Sequence, residues 1–127
     1  MKGKVQTIVL GLGEKGAHKE ELDRLTTSLR TELLQTDVQS VRRVSHEQAP
    51  PGSKGDPLTI GWLAVTLTPI VATKVFDVLA DWVKRANNRT IKVTLGQNTI
   101  ELSGASREQR TKLLNKWMQE VDRGHAS

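Results

Sequence analysis

Apolar and polar positions change their period several times along this chain, and those changes divide it into elements. Lys4–Leu10 alternates, with Val5, Thr7 and Val9 interleaved with Gln6 and Ile8, which predicts a strand. From about Ala17 to Gln35 the leucines Leu22, Leu25, Leu29 and Leu33 recur at helical spacing and share one face. Glu20 and Glu21 fall near the positive end of that helix, where carboxylates are favoured. Val38–Val44 predicts a second strand, broken by Arg42-Arg43. Adjacent arginines suit the edge of a sheet, where inward-facing positive charge discourages further pairing.

Residues 46–57, HEQAPPGSKGDP, read as one long loop, because Pro50, Pro51, Gly52, Gly55 and Pro57 continue neither a ladder nor a helix. Its tip is the natural place for proteolytic nicking. Residues 58–67 are nearly all apolar from Trp62 onward, the pattern of a central strand covered by helices. Thr68 then offers an N-cap and Pro69 takes the first helical position. The helix so begun runs to Arg85, with Val71, Val75, Val78, Leu79, Trp82 and Val83 on one face, and Asn87-Asn88 ends it. Thr90–Leu95 and Thr99–Ser103 flank Gly96-Gln97-Asn98 and predict a hairpin. Ser106-Arg107-Glu108-Gln109 is a capping box that opens a last helix. That helix reaches about Arg123 with Leu113, Leu114, Trp117 and Val121 inward, and Gly124 stops it.

The order βαββαβ followed by βα predicts an α+β fold. It is a ferredoxin-like βαββαβ sandwich extended by a C-terminal β-strand and α-helix, giving a five-stranded sheet and three helices. With 127 residues the chain reads as a single α+β domain over 1–123 and a disordered tail at 124–127.

Composition narrows the chemistry. With no cysteine, disulfides, thiolate metal sites and cysteine nucleophiles are excluded. No secretory leader is expected at the N-terminus. The most apolar stretch, residues 58–73, is shorter than the ~20 residues a spanning helix needs, and Thr68-Pro69 interrupts it. A cytoplasmic protein with no membrane association is the expectation. Net charge is +5, from 19 Lys and Arg against 14 Asp and Glu.

One motif invites a specific reading. GLGEKG, residues 11–16, matches G-x-G-x-x-G after an apolar run and before a helix. A dinucleotide site also needs an acidic residue at the end of the second strand. Asp37 precedes that strand and Glu47 lies beyond it, in the proline loop. A P-loop would place Ser or Thr after Lys15, where Gly16 stands. The motif is therefore expected to be a strand-to-helix turn, and no cofactor is expected. His18, His46 and His125 have no partners at ligand spacing, so no metal is expected. Ser53 and Ser103 lack the G-x-S-x-G elbow of an exposed nucleophile. No set of acid, base and nucleophile converges, and the protein is expected not to be an enzyme.

Two surfaces remain. Val38, Arg42 and Arg43 mark a candidate partner edge on the second strand. Lys84, Arg85, Arg89 and Lys92 form a candidate basic patch, and Arg107, Arg110, Lys112 and Lys116 add further cations on the last helix. Merged, such faces would bind phosphate backbones without sequence preference. With three Trp, one Phe and no Tyr, stacking platforms for bases are scarce, and Trp62, Trp82 and Trp117 read as core.

Four stretches taken in order resemble the effector-associated constant component family of bacterial conflict systems. KEELDRLTTSLRTELL is similar to that family's first helix, and VQSVRRVSHEQAPPGSKGD to its arginine-rich strand and proline-glycine loop. WLAVTLTPIVATKVFDVLADWVKRANNRTIKVTLGQNTIEL resembles its apolar strand, helix and hairpin, and SREQRTKLLNKWMQEV its closing helix. The likeness covers roughly residues 4–123; the junction TLTPIVAT stands where a glycine-rich linker is usual. The resemblance implies a small non-catalytic adaptor or regulatory protein of antiviral defence. Its implied partner is a trypsin-like or caspase-like peptidase effector or a nucleotide-binding regulator. The alternative is a basic nucleic-acid-binding sensor module of the same kind of system.

Overall fold

The computed structural model describes residues 5–16, 18–44, 59–86, 88–96, 98–103, 108, 111–112 and 114–119. Strand β1 (Gln6–Glu14) leads to helix α1 (Lys19–Leu34), strand β2 (Ser40–Arg43) and strand β3 (Thr59–Leu67). A 3-10 turn at Pro69–Val71 runs into helix α2 (Ala72–Lys84), and strands β4 (Arg89–Leu95) and β5 (Asn98–Ser103) follow. Residues 108, 111–112 and 114–119 are helical and belong to a third helix, α3. The 46–57 loop, the Ser106 cap, the Gly124 stop and the 124–127 tail lie outside the described residues.

The strands form one five-stranded sheet in the order β2-β3-β1-β4-β5, antiparallel at every step. The alternation of strand residues sends Ile8, Leu10 and Leu12, Leu63, Val65 and Leu67, and Ile91, Val93 and Leu95 to the helical face. There they meet Leu29 and Leu33 of α1, Val75, Phe76, Leu79 and Val83 of α2, and Trp117 of α3. Burying each of the larger side chains contributes about 2 kcal/mol. Trp62, Trp82 and Trp117 are all buried, as expected. Trp62 does so on the other face of the sheet, since it alternates with Leu63 and Gly61. Among the described residues no helix is long and apolar enough to cross a membrane.

β1 departs most from expectation. It continues through Glu14 instead of ending at Leu10. Gly11 lies opposite Trp62 of β3 and Lys92 of β4, and Gly13 opposite Thr59 and Thr90. The Lys15 N–H donates to the Asn88 carbonyl at 2.9 Å, which sets the phase of the ladder. Gly11 and Gly13 therefore direct their backbone groups at β4, and Leu12 directs its own at β3. A glycine in a strand costs about 0.5–1 kcal/mol in chain entropy. Hydrogen bonds to a neighbour on each side offset that cost. Lys15 and Gly16 form the turn that follows β1, where Gly16 adopts φ +85°.

α1 approaches β3 closely because position 61 has no side chain. A Cβ on Gly61 would overlap the hydroxyl of Thr26, which is buried and donates to the Leu22 carbonyl at 2.6 Å. Thr68 has the extended backbone of an N-cap and Pro69 follows it as expected, but the Thr68 hydroxyl makes no capping bond. α2 buries Val75, Leu79, Trp82 and Val83 of the predicted stripe and leaves Val78 partly buried, and it also buries Ala72, Phe76 and Ala80, with α3 packed against Phe76. Phe76 and Trp117 meet edge to face, with ring centroids 6.0 Å apart.

Candidate functional site

The sheet ends in two strand edges. β2 is one of them, as its paired arginines predict. The strand is shorter than Val38–Val44: it spans Ser40–Arg43, and Val38 precedes it, packed against the core. The Val44 N–H donates to the Trp62 carbonyl at 3.1 Å, so Val41 and Arg43 direct their backbone groups away from β3. The Val41 carbonyl is already engaged, accepting from Arg30 Nε at 2.9 Å. Arg43 turns to the helical face and holds Asp23 at 2.6 Å and the Thr27 hydroxyl at 3.2 Å. Arg42 is exposed on the opposite face. Two of the three candidate edge residues are thus on the edge, and the edge is guarded by arginines from two elements.

Beside it, a cleft of about 590 Å³ lies between α1 and β3. Lys19, Glu20, Asp23, Arg24 and Arg43 line it, so both signs of charge face one another across it and the Arg43–Asp23 pair spans it.

β5 is the second edge. β4 residues Thr90, Lys92 and Thr94 direct their backbone groups to β1, and so Ile91, Val93 and Leu95 direct theirs to Leu102, Ile100 and Asn98. Thr99 and Glu101 consequently direct theirs outward. The Thr94 and Thr99 hydroxyls lie 3.2 Å apart, the close side-chain approach of a pair not joined through the backbone. Among the described residues no strand pairs with this outer edge.

The basic patch is not one surface. Arg85 donates to Glu32 at 2.5 and 2.8 Å and to Asp81 at 2.8 Å, and these partners raise its pKa above the usual arginine value. Arg89 donates through Nε to Glu14 at 3.1 Å and through Nη1 to the Trp82 carbonyl at 3.1 Å. Lys92 alternates with buried Ile91 and Val93 and stands on the far face of the sheet. Only Lys84 and Arg85 are neighbours in the sense the sequence suggests, at the C-terminal end of α2.

Among the described residues no group of three or more His, Cys, Asp or Glu is placed to hold a metal ion. His18 occupies the N-cap position of α1 without a side-chain capping bond, and His46 and His125 lie outside the described residues. A groove of about 370 Å³ between β5 and α3, lined by Thr99, Ile100, Lys112 and Lys116, has no local signal in the sequence, because long-range docking of the last helix creates it. Comparison with protein-family models, with curated proteins and with solved structures found no match.

Proposed function

We propose that this protein is a non-catalytic adaptor or regulatory module that works by holding another protein, as its resemblance to effector-associated constant components implies. The observation that carries this reading is the pair of sheet edges, on which β2 and β5 direct backbone donors and acceptors away from the sheet. In the same reading the β2-β3-β1-β4 portion with α1 and α2 is ferredoxin-like, and β5 with α3 is an addition at one side; the strand order supports this. The protein acts in the cytoplasm of a bacterial antiviral defence system, beside a peptidase-type effector or a nucleotide-binding regulator.

The nucleic-acid alternative draws less support, since Arg85 and Arg89 already hold carboxylates and Lys92 faces the other way. Co-purification of the full chain with the folded products of neighbouring genes tests the proposal. A stoichiometric complex with one of them is expected. Association with none of them, together with salt-sensitive retention of nucleic acid, would replace it with the alternative.

A further inference from the structure

Among the described residues several cations are engaged by carboxylates: Arg43 by Asp23, Lys74 by Asp37, Arg85 by Glu32 and Asp81, Arg89 by Glu14. Lys112 and Lys116 of α3 are among those that are not. Both are exposed, stand one turn apart on the same side of the helix, and pair with no carboxylate among the described residues. With Asn115 and Gln119 they form one wall of a groove of about 370 Å³, and Thr99 and Ile100 of β5 form the other.

The open wall of that groove is the sheet edge itself, where Thr99 and Glu101 direct N–H and C=O groups outward. Unpaired edge groups beside a helix make a template for an extended segment, which adds a strand through its main chain and presents alternate side chains to the groove. Ile100 is half-buried and gives the floor an apolar surface. Four residues of helix advance about 6 Å, and two residues of strand advance about 6.6 Å. Carboxylates at alternate positions of an added strand therefore match the Lys112–Lys116 spacing. The exposed side chain of Glu101, on the far face, repels acidic residues at the intervening positions.

We infer that the groove between β5 and α3 binds an extended acidic segment of a protein partner by strand addition, with carboxylates two positions apart on Lys112 and Lys116. This rests on the adaptor reading and names the surface and the partner chemistry for it. A phosphate backbone would satisfy the two lysines but leave the edge amides unpaired, so a peptide fits better.

The test titrates the full chain against a short fluorescent peptide of alternating Glu and Val, with a Lys-for-Glu peptide and a single-stranded oligonucleotide as competitors. Saturable binding is expected, with slowed amide exchange at Thr99 and Glu101 and no displacement by either competitor at physiological salt. Lys112→Glu with Lys116→Glu should weaken binding about tenfold or more without unfolding these exposed sites. Glu101→Pro, which removes an outward donor and no β4 bond, should weaken it independently. Binding that ignores these substitutions, protection elsewhere, or displacement by the oligonucleotide overturns the inference. If the double lysine variant still holds the neighbouring gene product, the groove assignment falls and the adaptor reading stands. If the unsubstituted chain holds none, the adaptor reading falls.

Discussion

The guanidinium of Arg89 lies over the indole ring of Trp82, 4.5 Å from its centroid. Through Nε it also holds Glu14, and through a terminal N–H the Trp82 carbonyl, so one side chain ties the end of β1, the end of α2 and the start of β4. Both charged side chains are only 14% exposed. Arg89→Met would leave the mostly buried Glu14 carboxylate without its cation, and should lower stability by about 2–3 kcal/mol, short of the cost at a fully buried pair. Adding Glu14→Gln should recover much of the loss. Urea unfolding midpoints of the two variants measure both effects.

Gly61→Ala should be among the most damaging small substitutions in the chain, because the new methyl overlaps the Thr26 hydroxyl and forces α1 away from β3. A loss of about 2–3 kcal/mol is expected from overpacking. Thr26→Ala removes the obstructing oxygen, so Gly61→Ala combined with it should cost less than the sum of the separate changes. Thermal unfolding of the two single variants and the double variant closes that cycle.

Arg85 bridges α1 and α2 through Glu32 and braces its own helix through Asp81. Its side chain is 44% exposed, so water and salt screen the network. Arg85→Ala should cost about 1 kcal/mol at low ionic strength and less in concentrated salt. Glu32 and then Asp81 raise its pKa. A raised folded-state pKa gives a contribution that is complete below the unfolded value and lost only as pH rises through the folded one. Arg85 therefore imposes no pH dependence in the range where unfolding is measured.

Nucleoside triphosphates with magnesium, and dinucleotides, should leave the melting temperature unchanged. Gly11 and Gly13 direct their amides into the β4 ladder, so those amides are not available to cradle phosphate. A dose-dependent rise in melting temperature would mean that a ligand binds the folded state and that this end of β1 opens to admit it.

Much of the fold is legible in local pattern. The leucines of α1, the apolar run of β3, the Pro69 start and the β4–β5 hairpin each declare themselves within a window of a few residues, and Gly96 has the positive φ (59°) that its turn requires. Arg42 and Arg43 likewise announce an edge. The glycine run misleads because Gly is a local turn signal, whereas residues 11–14 are held extended by partners from β3 and β4. Phe76 is missed for a related reason: its burial depends on Trp117 of α3. The basic patch dissolves because its partners Glu14 and Glu32 are distant in sequence. The β5–α3 groove depends on the same long-range docking, so no stretch of residues could have displayed it.

The two sheet edges have a role only if this chain grips a protein. Mixing it with the folded product of each neighbouring gene and reading molar mass by light scattering after size exclusion decides the matter. A complex of defined stoichiometry that survives physiological salt is the predicted result. Separate elution of every pair, with the chain instead carrying nucleic acid, would contradict it.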